Sequence, residues 1–387
     1  MAIFHTEPTS PAQTRKSLTG TVWHITPPSA ESPAGVPPAV GQVLAARGVV
    51  TTADADAFLT ANLSTLHDPL LLPGMAEAVA AVLETLARGG RIRVFGDYDA
   101  DGITSTALLV RALGALGGKI DWYLPHRIDD GYGLNIRALD EAHADGIELG
   151  ITVDNGITAH EQLAHAAKIG LRMVVTDHHE PDGALPPAIA VLNPKRADNA
   201  YPFRELAGVG VAFTLLRAVC AARGLTPDAP MRFLDLVTLG TVADVVPLLG
   251  ENRVLVRHGL PMLTPLSKKL GLSALLKAIG IDNCATCGDV GFQIGPRLNA
   301  AGRMAHAELA LRLLLTADRE EADGLAQQLC AQNTQRQEDE FRMLDQALKL
   351  VDACDLTREK VLVLDSSEWN PGIIGIVASR IVERFNR

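Results

Sequence analysis

Asp97, Asp99 and Asp101 alternate along a short segment that follows the apolar run Arg91 to Phe95. The run predicts a buried strand, and the Ala- and Leu-rich segment from Ile103 to Leu116 predicts the helix after it. Because alternate residues of an extended segment point the same way, the carboxylates can converge on one point. Carboxylates this close repel one another unless a cation neutralises them. The segment therefore predicts a site for a hard divalent metal ion.

The same order of strand, acidic residue and helix recurs twice downstream. A second apolar strand ends at Asp154, and a third ends at Asp177, which His178 and His179 follow. Because ligands of open α/β sheets bind beyond the carboxyl ends of the strands, these side chains should meet the first group at one edge of a sheet. Mixed Asp and His ligands fit Mn²⁺, Mg²⁺ or Zn²⁺. A pair of such ions is a common device for phosphodiester hydrolysis.

Each of these residues also has an ordinary structural explanation. Aspartate is frequent where a helix starts because it accepts hydrogen bonds from free N–H groups. That would account for one such residue, but ligand-type side chains on successive strand ends favour metal ligation for Asp99, Asp101, Asp154 and His178. Asp244 lies in an apolar helical segment, where it is either a hydrogen-bonded core residue or a further ligand.

Five motifs carry a family resemblance. Gly96 to Gly102, Val153 to Gly156 and Asp177 to His179 resemble motifs of the DHH phosphoesterase superfamily. Thr241 to Pro247 and Gly295 to Met304 are similar to the bacterial RecJ family. The resemblance implies a metal-dependent exonuclease that degrades single-stranded DNA from the 5′ end, in DNA repair and recombination. Single-stranded DNA is then the expected partner, with single-stranded-DNA-binding protein and a helicase as candidate protein partners.

The resemblance also implies roles for individual residues. The implied ligands of two Mn²⁺ or Mg²⁺ ions, with Asp154 shared between them, are Asp99, Asp101, Asp154, His178 and Asp244. His179 completes the catalytic set, where a contact with the substrate phosphate or a role in proton transfer is favoured over ligation. Many members of the superfamily have a histidine where this chain has Phe95, so one ion is expected to be held more weakly, with Asp97 in support.

Three arginines are candidates for binding the substrate. Arg127 follows the second predicted strand at the same sheet edge, and Arg297 and Arg303 flank a predicted loop whose small residues permit close backbone approach. A guanidinium binds phosphate at two points, which suits a nucleic-acid backbone. An ordinary surface arginine is the alternative at Arg127, and a structural role is the alternative at Arg297.

The bulk composition limits the class of protein. A formal net charge of −10 gives no general surface for polyanions, so a nucleic-acid substrate would need a local basic groove and bound metal ions. Five scattered cysteines are typical of a reduced cytoplasmic chain, and Cys284 and Cys287 lack the partners of a metal motif. No apolar run reaches the roughly 18 residues of a membrane span, so no membrane partner is expected.

Alternating strands and helices predict the organisation of the chain. Strands near 91–96, 119–124, 148–153, 171–176 and 189–192 imply an α/β fold with a parallel sheet and helices on both faces. We expect an extended segment at 1–40, a DHH catalytic domain with a helical subregion at 41–318, and a connecting helix at 319–359. Residues 360–387 begin with a predicted strand, Lys360 to Asp365, and resemble the start of a DHHA1 domain, so a truncated chain is expected.

Two other functions remain open at this point. A DHH enzyme acting on short oligoribonucleotides or cyclic dinucleotides would share the acidic motifs, although the Gly295 to Met304 motif and the N-terminal region favour RecJ. A catalytically inactive replication scaffold would be expected to have degraded motifs, whereas here the acidic residues and His178 are intact.

Overall fold

The computed structural model describes residues 13–16, 20, 22–25, 33–127, 130–304, 306–356 and 358–387. They fall into two compact units, residues 1–64 and 65–387. The elements of the first unit are β1 (Gln13–Lys16), β2 (Val22–Ile25), α1 (Pro38–Ala45) and α2 (Thr52–Thr60). Within the part of residues 1–40 that the structure describes, β1 and β2 pair antiparallel. Much of the segment expected to be extended lies outside the described residues.

The second unit is built on a five-stranded parallel sheet. Its strands are β3 (Arg91–Phe95), β4 (Lys119–Tyr123), β5 (Leu149–Val153), β6 (Arg172–Thr176) and β7 (Ala190–Leu192), in the order β4-β3-β5-β6-β7. All the predicted strands of the sheet are confirmed. β5 is buried at every residue, as expected for a parallel strand covered on both faces.

The strand order reverses between β3 and β5. The chain leaves β3 for β4 on one side and then returns to place β5 on the other side of β3. In an open parallel sheet this reversal opens a crevice beyond the carboxyl ends of the two strands. Of the residues predicted to bind metal, Asp99 and Asp101 follow β3, Asp154 follows β5, and His178 follows β6, next to β5.

Helices cover both faces of the sheet, as predicted. The helices up to the end of the α/β part are α3 (Met75–Ala87), α4 (Ala100–Ala115), α5 (Ile136–Ala144), α6 (His160–Lys168) and α7 (Gly208–Ala222). α5 and α6 contribute apolar side chains to one cluster that also contains Phe95 and Met173 of the sheet. α4 packs against α7, and α7 packs against α3.

A helical region follows the sheet. Its helices are α8 (Leu234–Ala243), α9 (Gly250–Gly259), α10 (Leu270–Ala278), α11 (Cys287–Asp289), α12 (Gly295–Met304), α13 (Glu308–Leu315), α14 (Arg319–Val351) and α15 (Ile374–Phe385). The predicted connecting helix corresponds to α14, which packs against α10, α12, α13 and α15. The loop predicted between Arg297 and Arg303 is wrong, because this segment belongs to α12, which follows a π-helical turn, Val290–Ile294. Its glycines suggested a loop, but the buried Gly295 and Gly302 let the helix pack closely.

The strand predicted at Lys360 to Asp365 is also absent. Leu362 and Leu364 pack against the cluster formed by α14 and α15, whereas Val361 and Val363 are 72% and 87% exposed. This alternation is that of a strand, but a strand needs a hydrogen-bonding neighbour. Within the described residues no strand of the sheet pairs with this segment.

No single described helix is long and apolar enough to cross a membrane, although one bent pair, Leu63–Leu71 with Met75–Ala87, meets the criterion of length and composition when the two are joined.

Close helix packing at Gly271 gives a test of the fold. A methyl group on Gly271 of α10 would overlap the carbonyl oxygen of Leu313 in α13. We expect Gly271→Ala to lower the melting temperature, since overpacking costs about 1–3 kcal/mol. Gly114→Ala in α4 is the control, because nothing lies within 4 Å of its added methyl group and alanine favours a helix by about 1 kcal/mol. Thermal unfolding followed by circular dichroism measures both, and equal melting temperatures would contradict the packing described here.

Candidate metal centre

Acidic and histidine side chains meet at the crevice between β3 and β5. Three groups have potential ligand atoms within 4.8 Å of one another: Asp97 with Asp99 and Asp154; Asp101 with His178 and Asp244; and Asp154 with His178 and His179. The structure thus brings together all the side chains predicted to bind metal. It adds Asp97 and His179, which the sequence placed beside the ligands rather than among them.

Two of the carboxylates also stabilise helix starts. One oxygen of Asp99 accepts hydrogen bonds from the backbone N–H groups of Asp101 and Gly102 at 3.0 Å, so Asp99 caps α4. Asp101 accepts from the N–H groups of Gly208 and Val209 at 2.6 and 2.9 Å, at the start of α7. Asp99 and Asp101 therefore bind helix N-termini and also belong to the cluster of potential metal ligands. Helix N-termini carry partial positive charge, which offsets part of the repulsion among the carboxylates.

Several buried acceptor atoms in the cluster have no hydrogen-bond partner. They are Asp97 Oδ1, Asp154 Oδ1 and His178 Nε2. The last two face each other at 3.2 Å, on side chains that are only 3% and 9% exposed. An unsatisfied buried polar atom costs about 1–3 kcal/mol, and a cation between these atoms would satisfy them. Carboxylate oxygens with one or two imidazoles form a donor set that suits Mn²⁺ or Mg²⁺, so the residues fit a divalent ion.

Asp154 adopts an unusual backbone conformation. Its φ angle is 61°, in the left-handed region that Asn and Asp tolerate better than other non-glycine residues. Gly208 at the start of α7 lies against it, and a Cβ atom there would be 2.6 Å from Asp154 Cβ. Strained conformations of this kind are retained where the surroundings determine them, often at functional sites.

Burial and mutual repulsion shift the ionisation of the cluster. Burial, followed by the charge of Asp99, raises the pKa of both Asp97 and Asp244 to about 7. Burial also raises the pKa of Asp101 and of Asp154, and neighbouring carboxylates add to the effect. Burial and the nearby His179 lower the pKa of His178 to about 4. His178 is therefore neutral at pH 7, the form in which an imidazole binds metal.

Asp177 is a functional residue to which the sequence assigned no role. It is buried, and it accepts hydrogen bonds from the backbone N–H groups of Ile157, His178 and His179. It also lies 2.7 Å from Nδ1 of His179. Burial acts to raise the pKa of Asp177, but the hydrogen bond and charge of His179 outweigh it and lower the pKa. In turn, the hydrogen bond with Asp177 raises the pKa of His179. In the sequence, the signal for a role of Asp177 was its position at the end of β6.

Tyr132 and Asn155 were also missed. The Tyr132 hydroxyl donates to the backbone oxygen of Asp154 at 3.1 Å, and its ring meets that of His179 edge-on. Asn155 Nδ2 donates to the backbone oxygens of Phe95 and Val153, at 3.1 and 2.8 Å, and so ties the ends of β3 and β5 together.

Arg127, which follows β4, and Arg303, on α12, both lie near Tyr98. The Arg127 guanidinium lies over the Tyr98 ring at 5.0 Å. Burial, followed by the charge of Arg127, lowers the pKa of Arg303, so the two cations are close enough to repel each other. Arg303 also donates to the backbone oxygen of Gly372 at 3.1 Å. Arg297 instead donates to Gln293 within its own helical segment, which fits the structural alternative.

A hydrogen bond and close packing hold α12 against the start of α4. Asn299 accepts a hydrogen bond from the backbone N–H of Ala100 at 2.7 Å. A Cβ atom on Gly302 would overlap the backbone oxygen of Tyr98. The close approach expected for the small residues of this motif is therefore present, although it is made by a helix. These contacts set the position of α12, and with it Arg303, relative to the carboxylates.

Comparisons with known proteins match both the fold and these motifs. Residues 91–241 match the model of the DHH family, N-terminal domain. The single-stranded-DNA-specific exonuclease RecJ of Bacillus subtilis is 40% identical over 91% of this chain and 44% of its own length, and that of Dickeya dadantii is 42% identical over 93% and 65%. A crystal structure of exonuclease RecJ bound to manganese superposes with a TM-score of 0.76 at 43% identity, covering 84% of this chain and 80% of the other.

The chain belongs to the RecJ family. It spans 44% and 65% of the length of the two curated RecJ relatives. The position at which many superfamily members have a histidine is occupied by Phe95, which is 1% exposed and packs in the apolar cluster of the sheet. A phenyl ring has no lone pair with which to bind a metal ion. In this RecJ chain the carboxylate of Asp97 is instead the potential ligand that lies beside Asp99 and Asp154.

The raised pKa of Asp154 predicts the behaviour of the metal-free protein. A carboxyl whose pKa is raised by folding destabilises the protein once it is ionised, so stability is lost as pH rises above the unfolded pKa of about 3.9 and through the folded pKa. Asn at this position removes the charge and suits a φ of 61°. In EDTA, Asp154→Asn should melt at a higher temperature than the wild type, and the difference should be larger near pH 8 than near pH 5.

The matched control is Asp282→Asn, which removes a carboxylate from an exposed position outside the cluster. Thermal unfolding of the three proteins across the pH series measures the effect. A wild type that melts above Asp154→Asn at pH 8 without metal would contradict the electrostatic description of the site.

Proposed function

We propose that this chain carries the catalytic core of a metal-dependent exonuclease that hydrolyses phosphodiester bonds of single-stranded DNA from the 5′ end. The main observation is the cluster of buried, unpartnered carboxylate and imidazole acceptors faced by Arg127 and Arg303. The RecJ relative from Bacillus subtilis is a single-stranded-DNA-specific exonuclease, which supports the substrate, and the manganese in the RecJ crystal structure supports the metal.

The proposed ligands are the side chains of the three groups. Asp101, His178 and Asp244 would hold one Mn²⁺ or Mg²⁺, Asp97 and Asp99 would hold another, and Asp154 would contribute to both. Divalent ions in such a site lower the pKa of water and stabilise negative charge on phosphate oxygens. His178 is already neutral at pH 7 and can bind an ion without losing a proton. The carboxyl groups whose pKa is raised release their protons when an ion binds.

His179 is proposed to act on the substrate rather than to serve mainly as a ligand. Its side chain is 46% exposed, in contrast to that of Asp177, which is 1% exposed and holds it by the Nδ1 contact. Because the pKa of His179 is raised, the ring can present a proton to a phosphate oxygen or to the leaving group. Asp177 is then a positioning residue that sets the orientation of the ring.

The arginines and aromatic rings near the cluster support a single-stranded substrate. A cavity of about 590 Å³ between α12, α14 and α15 is lined by Asn299, Arg303, Arg336, Arg380, Phe292 and Phe341 among others. Phe292 and Phe341 are 86% and 77% exposed, which is unusual for phenylalanine. Unpaired bases can stack on exposed rings, whereas the faces of paired bases are covered in a duplex. The same cavity also contains Arg303, Arg336 and Arg380, and so provides local positive charge for phosphate in a chain whose net charge is −10.

The proposal extends to the compartment, the protein partners and the domain boundaries. All five cysteines are free, which supports a reducing, cytoplasmic environment. The interactions with single-stranded-DNA-binding protein and with a helicase stay predictions. The division of the chain into domains at 40, 318 and 359 is likewise proposed, since the structure separates only residues 1–64 from the rest.

Nuclease assays with labelled oligonucleotides test the proposed activity. With Mn²⁺, the chain should release mononucleotides from the 5′ end of single-stranded DNA and leave a blunt duplex largely intact, because paired bases cannot stack on the exposed rings. Asp154→Asn should abolish turnover, whereas Asp282→Asn should keep it. A length series that includes short oligoribonucleotides separates this activity from the other DHH activities. Equal cleavage of duplex and single strand would refute the proposal.

Arg303→Ala tests the phosphate contact. We expect weaker binding of single-stranded DNA and a fall of about one in the slope of log affinity against log salt, because one phosphate contact is lost. The affinity for Mn²⁺, measured by calorimetry, should not change. Arg223→Ala, at an exposed arginine after α7, is the control. An equal loss of metal and DNA binding would instead show that α12 had moved.

The exposed phenylalanines allow a separate test of base stacking. Phe292→Ala with Phe341→Ala should weaken the binding of single-stranded DNA by about 1–3 kcal/mol per stacked base, while the melting temperature stays constant because both rings are exposed. Leu266→Ala, at a residue that is 88% exposed elsewhere, is the control. Fluorescence anisotropy with a labelled oligonucleotide and Ca²⁺ in place of Mn²⁺ measures the change. Unaltered affinity would exclude the rings from the DNA path.

A further inference from the structure

A second basic cavity lies in the helical region, at the far ends of the two helices that carry Asp101 and Asp244. Its volume is about 570 Å³, and its lining includes Arg111, Arg232, Lys268, Lys269 and Asp235. A cavity of this size accommodates a small organic molecule. In a chain with a net charge of −10, four cationic side chains and one carboxylate around one cavity form a local exception.

The cavity is separate from the metal centre. α4 begins beside Asp99 and passes Arg111 near its other end, about 15 Å further along at a rise of ~1.5 Å per residue. α8 runs in the opposite sense, from Asp235 at the cavity to Asp244 at the carboxylate cluster, about 13 Å away. The two helices pack against each other along this length.

Two of the cations, Arg111 and Lys269, are held in place by hydrogen bonds. Arg111 donates to the backbone oxygen of Leu314 at 2.7 Å, which leaves other N–H groups of its guanidinium for a ligand. Lys269 donates to the backbone oxygen of Arg232 at 3.0 Å and forms an ion pair with the buried Asp235. The ring of Phe233 lies under both Arg232 and Lys269, at 4.9 and 5.2 Å.

Charge balance in the cavity favours an anionic ligand. Asp235, which is 1% exposed, pairs with Lys269, and its charge also acts on Arg111. One carboxylate thus faces four cations among the charged side chains that line the cavity, which leaves a net positive charge. Burial lowers the pKa of Arg111 and of Lys269, as expected where like charges are held out of water. α10 begins at the cavity with Lys269 as its N-cap and without a side-chain hydrogen bond to its first N–H groups, which adds a further attraction for an anion.

We propose that this cavity binds a small phosphate-bearing anion, an orthophosphate or a nucleoside monophosphate. Two arginines supply donors that match phosphate oxygens at two points each, and Lys268 adds a flexible positive charge. The hydroxyl groups of Thr264 and Ser267, which also line the cavity, can donate to further oxygens. The site is independent of metal ions and of the carboxylate cluster.

Calorimetric titration of the full chain in EDTA tests this site, with orthophosphate and deoxyadenosine monophosphate as the two probes. Arg127→Gln with Arg303→Gln first removes the phosphate contacts proposed at the catalytic centre. In this background a binding event should remain. The further pair Arg232→Gln and Lys268→Gln should weaken it at least tenfold, and both of these residues are exposed, so folding should be retained.

Arg223→Gln with Lys277→Gln, two exposed cations outside the cavity, is the charge-matched control and should leave the affinity unchanged. Tighter binding of the nucleotide than of orthophosphate identifies a nucleotide site, and equal binding identifies a phosphate site. The proposal is overturned if no event remains in the Arg127→Gln and Arg303→Gln background, if the cavity variants bind as the background does, or if the control pair weakens binding equally.

Discussion

Mutual repulsion among carboxylates removed from water is the constraint on which the second unit depends. Asp97, Asp101 and Asp154 are each 1–2% exposed, and their potential ligand atoms lie within a few ångströms of other acidic groups. Folding without a cation requires either protonation or uncompensated charge in this space, and both are unfavourable. The surrounding structure answers with the N-termini of α4 and α7 and with backbone N–H groups directed at Asp99, Asp101 and Asp177.

Hydrogen bonds and close packing hold the elements around the cluster together. Asn155 ties β3 to β5, Asn299 ties α12 to the start of α4, and Tyr132 holds the backbone of Asp154. α4 and α8 approach so closely that a Cβ atom on Gly240 would overlap Thr104. A site that must hold like charges together cannot be built on mobile loops, because repulsion would spread the ligands apart. Preorganisation of this kind is also what electrostatic catalysis requires.

Much of the fold could be predicted from sequence because parallel strands are buried on both faces and appear as continuous apolar runs. The ligands could be predicted because their residue types are chemically distinctive and follow strand ends. Asp177 and Tyr132 could not be assigned in this way, since their roles consist of hydrogen bonds to residues distant in sequence. The segment at 295–304 was misjudged because glycine marks both loops and close helix contacts. Within the described residues, the strand expected at 360–365 has no neighbouring strand to pair with, and local composition does not contain this property of tertiary structure.

The long separation in sequence of the clustered residues has a consequence for biosynthesis. The first acidic residue of the cluster is Asp97 and the last is Asp244, on the helix α8 that packs against α4. At a translation rate of about 5–20 residues per second, roughly 7–30 s pass between the synthesis of the two. Until α8 emerges from the ribosome, the nascent sheet carries an acidic edge without its final acidic residue. Completion of the cluster therefore coincides with the docking of α8, and the newly made chain cannot form the whole site on a partial fold.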